Sequence, residues 1–327
     1  MATSAANFPG STTSTRSAVF AALIGDVLIA VTKTAAAVLT GSAAMTSEAI
    51  HSSVNTINEV LLLYGIHRSG KRPDEDHPFG FGRELYFWSF IVAVLIFALG
   101  AAASIYGGIG QIRRPHPITS PAVNYIVLAL SFLFEGGSWL VSLRQFRAAK
   151  GQYGFLEALK LSKDPPSFMV MFEGIASLLG LLIAAAGIVA SVASGRPEFD
   201  GVASIAIGLI LAWTSIVLAR ESKSLLIGEQ TYPGVRKSIL EIANSEPSIL
   251  KANGLVTAQL GPNQVVAMLS VEFADAMRAP EIEKEVVNLE HKVRAAHPQI
   301  VALFVKPQTE KTFRESRERR LGRGPTT

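Results

Sequence analysis

The 327-residue chain contains no cysteine, and only 17% of its residues are charged. The lack of cysteine excludes disulfides, thiolate metal ligands and cysteine nucleophiles, so any metal must be bound by imidazole, carboxylate or amide groups. Charge is scarce, 49% of the residues are hydrophobic and the mean hydropathy is +0.34, a composition that is atypical of a soluble protein of this length. The composition therefore indicates a membrane protein.

Six apolar segments are long enough to cross a bilayer, for which a helix needs roughly 20 mostly apolar residues. They lie at residues 17–39, 44–66, 85–110, 121–143, 167–193 and 199–219. Alternate connections carry nine basic residues against three in the others, which predicts that both termini are cytoplasmic in an inner or plasma membrane. The formal charge of +4 reflects basic residues at span ends and in the tail, so we expect a lipid bilayer and no nucleic acid as partner.

The composition changes to that of a soluble domain after Arg220. Helical and alternating apolar patterns follow in the order α-β-β-α-β, with Gly-Pro-Asn splitting the two strands of a hairpin. This order predicts a small α+β domain with helices on one face of a sheet. The predicted organisation is a disordered lead (1–16), a transmembrane domain (17–220), a cytoplasmic domain (221–308) and a basic disordered tail (309–327).

The second span carries the most informative polar residues. His51 and Asn55 are four residues apart, so they share one face of a helix. Ionisable groups are costly inside a bilayer and usually face a bundle interior, although a lone histidine there can also be a hydrogen-bonded core residue. With Glu173 of the fifth span, His51 and Asn55 offer imidazole and oxygen ligands for Zn²⁺, Mn²⁺ or Fe²⁺. An imidazole also lets a proton compete with the metal.

The other ionisable residues of the spans indicate a functional site less clearly. Asp26 and Lys33 are seven apart on one helix face, which fits mutual neutralisation as well as it fits a function. Glu48 and Glu59 lie nearer the span ends, where we expect the carboxylates to reach interfacial water. Glu135 precedes two glycines that permit close helix approach or a water pocket.

The loop RPDEDHPFGFGREL after the second span is a second polar patch. Asp74 and His77 are possible metal ligands, but spacing alone favours a solvated acidic turn paired with Arg72 and Arg83. The glycines of this loop lack the spacing and lysine of a phosphate-binding loop, and no nucleophile and base are paired. The sequence therefore does not predict an enzyme.

Three segments together carry a family resemblance. LTGSAAMTSEAIHSSVNTINEVLLLYG, DEDHPFGFGRELYFW and FDGVASIAIGLILAWTSIVLARESKSLLIGE resemble the second span, the following loop and the sixth span of the cation diffusion facilitator family. The resemblance implies a six-helix transmembrane bundle, a ferredoxin-like cytoplasmic domain and a homodimer. It also implies proton-coupled export of a divalent cation, such as zinc, manganese or iron, by alternating access. The metal would be cargo, and no permanently bound cofactor is expected.

The resemblance assigns residues only in part. His51 and Asn55 match the second-span ligand pair, with Asn55 in place of the usual aspartate, and Asp74 and His77 match part of a secondary loop site. The loss of one charge weakens Zn²⁺ binding and relatively favours harder ions.

The fifth-span pair of the family falls on Val170 and Gly174, which cannot bind a metal. Three alternatives follow. The protein binds its ion loosely; or Glu173, Asp26 or Glu135 completes the site; or the chain is a non-transporting membrane regulator or assembly partner with a degenerate site.

Overall fold

The computed structural model describes residues 16–149, 154, 158 and 162–320. Nearly all of the predicted N-terminal lead and the last seven residues of the tail lie outside the described residues. The chain divides into two compact units. The membrane unit consists of Ala6–Lys71 and Glu84–Lys223, and the C-terminal unit combines Arg72–Arg83 with Ser224–Thr327.

Six long helices are described in the membrane unit, one for each predicted span. They are α1 (Arg16–Thr40), α2 (Ala43–Ser69), α3 (Arg83–Arg113), α4 (Pro121–Ala149), α5 (Pro165–Ser194) and α6 (Glu198–Ile227). Within the described residues, all but α2 are long and apolar enough to cross a membrane. The helix α2 has 27 residues but is more polar, because it carries the predicted site. The predicted membrane bundle is thus confirmed.

The membrane unit has an apolar outside, and its inside holds polar side chains among buried apolar ones. Leu39, Leu133 and Trp213 are 62–69% exposed, as expected of side chains that face lipid. The helices α3 and α6 approach closely: a Cβ added to Gly108 would lie 2.6 Å from the backbone oxygen of Gly201. Such small-residue contacts are typical of membrane helices. Midway along α3, residues Ile96–Ala101 form a π-helical stretch.

The N-terminus of α2 is fixed by a residue of α6. The Ser42 side chain accepts a hydrogen bond from the backbone N–H of Met45, which is an ordinary N-cap. Asp200 accepts hydrogen bonds from the Ser42 hydroxyl at 2.6 Å and from the backbone N–H groups of Ala43 and Ala44 at 2.5 and 3.3 Å. A buried carboxylate thus satisfies the positive end of the helix that carries His51.

The C-terminal unit confirms the predicted α-β-β-α-β order. Its elements are α7 (Pro233–Asn244), β1 (Ile249–Gly261), β2 (Gln264–Phe273), α8 (Ala279–Ala296) and β3 (Ile300–Pro307). The sheet order is β1-β2-β3, in which β1 and β2 are antiparallel and β2 and β3 are parallel. Ile239 of α7 and Leu289 of α8 are fully buried in an apolar core shared with the strands.

The tail differs from the prediction of disorder after residue 308, because residues Glu310–Arg320 form a helix, α9. Phe313 lies over Gly254 of β1, where a Cβ would come within 2.3 Å of the ring. Lys251 on the same strand pairs with Glu310 at 2.6 Å. The Phe313 contact, this ion pair and a hydrogen bond from the Glu310 backbone N–H to the Glu272 carboxylate therefore hold a segment whose composition alone indicates disorder.

Candidate functional site

The centre of the membrane unit is one polar face of α2. Glu48, His51, Asn55 and Asn58 follow one another at spacings of three, four and three residues, so they lie along one side of the helix. Glu48 and Asn58 are fully buried and His51 is 1% exposed. The helix is in contact with α1, α3 and α5, so this polar face lies inside the bundle.

His51 and Asn55 are brought together as predicted. The Asn55 amide nitrogen lies 3.4 Å from the His51 Nε2 atom. The other polar atom of each side chain, His51 Nδ1 and Asn55 Oδ1, is buried and has no hydrogen-bond partner in the part of the chain that the structure describes. Buried polar atoms nearly always have a partner. These two atoms are therefore available to an incoming ion or water.

Glu173 reaches α2 at a different level. Its Oε1 atom accepts a hydrogen bond from the Asn58 amide at 3.4 Å, and Asn58 Oδ1 is a further buried oxygen without a partner among the described residues. Asn58 is seven residues after His51, which is about 10 Å along the helix axis. The structure therefore places Glu173 two turns away from His51.

The second acidic contact of α2 is with α1. Asp26 and Glu59 interact through their side chains, and Glu59 also experiences the charge of Glu173. Asp26 thus lies at the Glu59 and Asn58 end of α2. Within residues 16–149 and 162–320, no three His, Asp or Glu side chains are grouped so as to hold a metal ion.

A buried ion-pair cluster occupies the opposite end of the polar face. The Lys33 ammonium of α1 donates to Glu48 Oε2 at 3.0 Å and to Glu135 Oε1 of α4 at 2.8 Å. The hydroxyl of Ser177 on α5 donates to the other oxygen of Glu135. The side chains of Lys33 and Glu48 are completely buried, and that of Glu135 is 17% exposed. Four helices therefore meet at this cluster.

One expectation from the sequence is wrong here, and one alternative that the sequence left open is decided. Glu48 does not reach interfacial water, because the bundle encloses it and Lys33 pairs with it. Lys33 does not neutralise Asp26: helical spacing places the two side chains on one face, but neighbouring helices offer carboxylates closer to the ammonium. Spacing within one helix carries no information about partners on other helices.

The loop residues lie in the C-terminal unit. The Asp74 carboxylate accepts hydrogen bonds from the backbone N–H and the Nδ1 atom of His77, at 2.6 and 2.9 Å, and both side chains are more than half exposed. Desolvation, which would raise the pKa of Asp74, is outweighed by the hydrogen bonds and charge of His77, so the pKa lies below its ordinary value. The partner of Asp74 is therefore His77 and not the predicted arginines.

The two fifth-span positions that correspond to family ligands have other roles. The Val170 side chain is 43% exposed. A Cβ at Gly174 would lie 2.2 Å from Trp139 Cδ1, so Gly174 allows α4 and α5 to pack closely. Neither residue contributes a ligand, in agreement with the sequence.

Sequence reasoning missed three residues of this region. Asn58 had a signal, since it is seven residues after His51 and lies on the same helix face. Ser177 and Asp200 had none, because their partners lie 42 and 158 residues away in the chain.

The geometry describes a multi-pass membrane bundle with polar side chains along its inside. Residues 19–227 match the Cation efflux transmembrane domain family. This match covers well over half of the chain, and the chain belongs to the cation efflux, or cation diffusion facilitator, family. The family is one of transporters and not of enzymes.

Curated relatives agree with this assignment. The proton-coupled zinc antiporter SLC30A9, mitochondrial, of Xenopus laevis is 33% identical over 77% of this chain and 46% of its own length. Metal tolerance protein C4 of Arabidopsis thaliana is 30% identical over 71% of this chain and 51% of its own. The cation-efflux pump FieF of Escherichia coli is 22% identical over 73% and 74%. The chain thus spans about half the length of the first two relatives.

Proposed function

We propose that this chain exports a divalent metal cation from the cytoplasm in exchange for protons, and that the cation moves along the polar face of α2. The observation that carries the proposal is the row of unpartnered buried atoms, His51 Nδ1, Asn55 Oδ1 and Asn58 Oδ1, within the described part of the membrane unit. Polar groups are costly inside a bundle, so their retention in a row is typical of an ion path.

The ligands would act at two levels of one helix. His51 and Asn55 supply an imidazole and an amide oxygen, and Asn58 with Glu173 supplies an amide oxygen and a carboxylate two turns further along. During alternating access, the same ion would be bound in turn by Glu173 with Asn58 and by His51 with Asn55. Asp26 with Glu59 would keep the Glu173 end attractive to a cation.

Metal choice follows from the ligand set. The site has one imidazole, amide oxygens and one carboxylate in place of a four-ligand set of imidazoles and carboxylates. Such an oxygen-rich, weakly charged set binds Zn²⁺ less tightly and serves Mn²⁺ or Fe²⁺ relatively better. Zinc remains the first ion to compare, because the SLC30A9 relatives are named as zinc antiporters.

His51 would also exchange protons. A free imidazole binds a proton near neutral pH, and a metal-bound imidazole must be neutral, so metal binding and proton binding exclude each other at one nitrogen. The proposed coupling therefore needs no group other than the ligand itself. We further propose a homodimer in the inner or plasma membrane with both termini in the cytoplasm. We also propose that Asp74 and His77 are ligands of a secondary metal site in the loop.

The test is flux of Zn²⁺, Mn²⁺, Fe²⁺ and Co²⁺ into proteoliposomes under an imposed pH gradient. We expect flux from the wild type and its loss in His51→Ala. The matched control is His67→Ala, which alters an exposed histidine near the end of the same helix. Equal flux in the wild type and in His51→Ala would disprove the proposed path.

The rival function is a non-transporting membrane regulator. The missing ligands at Val170 and Gly174 favour it, as does the lack of a three-ligand metal group among the described residues. No flux of any of the four ions from well-folded protein, with or without the gradient, would count against transport and favour the rival, which should instead bind a protein partner.

A further inference from the structure

We propose that Lys33 is a tethered cation: its ammonium fills a second cation site, formed by Glu48 and Glu135, and so prevents these carboxylates from binding the transported metal. The inference rests on the proposed transport function for its biological meaning. Its test does not depend on flux.

The geometry of the cluster is that of a cation site. Carboxylates from two helices, Glu48 of α2 and Glu135 of α4, converge on one positive atom, Lys33 Nζ, at 3.0 and 2.8 Å. The Ser177 hydroxyl holds the remaining oxygen of Glu135 in place. Two carboxylates and a hydroxyl are oxygen groups that also suit a hard divalent cation.

The charges do not balance. With both carboxylates ionised, the cluster has two negative charges and one positive charge, so it carries a formal charge of −1 inside the bundle. Glu48 Oε1 is fully buried and has no hydrogen-bond partner among the described residues. A divalent ion in place of the ammonium would neutralise the cluster and give this oxygen a partner.

The Glu48 carboxylate packs tightly against α5. The residue that faces Glu48 Oε1 on α5 is Gly180, at which even a Cβ would lie 2.4 Å from that oxygen. Any other residue at position 180 would press on the carboxylate. Gly180 thus lets the carboxylate lie directly against α5, and the place for a cation at Glu48 is the one that the Lys33 ammonium fills.

The cluster also lies close to the candidate path. Glu48 is one turn before His51 on the same face, and Lys33 and Glu135 are the charged groups that act electrostatically on His51. Without Lys33, a dicarboxylate pair would be a stronger divalent site than His51 with Asn55, and it would compete for the same ion. A permanently attached cation removes this competition and leaves the weaker site free to release its cargo.

The experiment counts bound ions. Mn²⁺ and Zn²⁺ binding to the purified full-length chain is measured by equilibrium dialysis for the wild type, Lys33→Met, Lys33→Arg and Lys33→Met/Glu135→Gln. We expect Lys33→Met to bind about one more divalent ion per chain than the wild type. Lys33→Arg, which keeps the tethered charge, should match the wild type, and the double variant should lose the added ion.

A purely structural lysine would give a different result. In that case Lys33→Met would bind no extra ion, and this outcome from a monodisperse protein overturns the proposal. If Lys33→Met is recovered only when Mn²⁺ is supplied during expression and purification, the proposal is supported, because the ion replaces the ammonium. A second neutral variant, Lys33→Gln, is made for the case in which Lys33→Met does not fold, and failure to recover either variant even with Mn²⁺ present counts against the proposal.

The two proposals fail separately. Absence of wild-type flux would end the transport proposal and leave the ion count of Lys33→Met unaffected. An unchanged ion count would end the tethered-cation proposal while wild-type flux, and its dependence on His51, stand.

Discussion

The two units of this chain use charge in opposite ways. In the membrane unit the side chains of Lys33 and Glu48 are fully buried, and the cluster that they form with Glu135 joins three helices. In the C-terminal unit the core is apolar, and a pair such as Lys251–Glu310 is nearly half exposed. A soluble domain buries most of its large apolar groups, whereas a bundle surrounded by lipid also exposes apolar groups on its outside, and the charges that it holds inside are costly. The interior charges of the bundle are therefore the more informative about function.

The sharpest test of this contrast removes one buried charge. Glu48→Leu leaves the Lys33 ammonium with a single carboxylate, and breaking a buried pair typically costs about 3–5 kcal/mol of the free energy of unfolding. We expect a loss of this size, measured by reversible denaturation of the full chain in mixed micelles. Glu198→Leu is the matched control, because Glu198 is partly exposed and lies 3.9 Å from a solvated Arg196. Equal losses of unfolding free energy in Glu48→Leu and Glu198→Leu would contradict the expectation that the buried charge contributes more to stability than the exposed one.

A smaller effect is expected at His297, which is the one buried histidine among the described residues of the C-terminal unit. Its Nε2 atom lies 2.8 Å from the Ser238 hydroxyl, and burial lowers its pKa below the ordinary value near 6.5. Below that ordinary pKa the unfolded chain binds a proton that the folded chain does not, so stability is complete above it and falls as the pH decreases. We expect His297→Gln to flatten the decrease in thermal midpoint between neutral and acidic pH.

The control for this prediction is His291→Gln, since His291 is exposed on α8. It should leave the pH dependence of the midpoint as in the wild type. A steeper acid decrease in His297→Gln than in the wild type would contradict the direction of the pKa shift.

The smallest expected effect is at the surface. Lys251→Ala removes the ion pair with Glu310, whose two side chains are 49% and 45% exposed. Exposed pairs contribute roughly 0.2–1 kcal/mol and are screened by salt. We expect a loss within that range from the free energy of unfolding of the C-terminal unit, and a smaller loss at high salt. A loss comparable to that of Glu48→Leu would show that α9 is held mainly by this pair.

The sequence predicts the membrane bundle and the C-terminal α+β order well, because both follow from local patterns of hydrophobicity. It also predicts that His51 and Asn55 are neighbours, since helical spacing places them together. It does not predict that Lys33 pairs with Glu48 and Glu135, because that depends on which helices are adjacent. Whether Glu173 shares an ion with His51 stays a prediction, as the structure places it beside Asn58.

The contact between the Asp200 carboxylate of α6 and the start of α2 has a consequence for biogenesis. The backbone N–H of Ala43 depends for its hydrogen bond on a side chain 157 residues later in the chain, in the last long helix of the bundle. Until α6 has been made, the N–H groups of Ala43 and Ala44 must bind water or another acceptor, and α2 acquires its final cap only when α6 has been inserted. The helix that carries His51 is thus completed last, although it is made second, and a ribosome that stops before α6 leaves it unfinished.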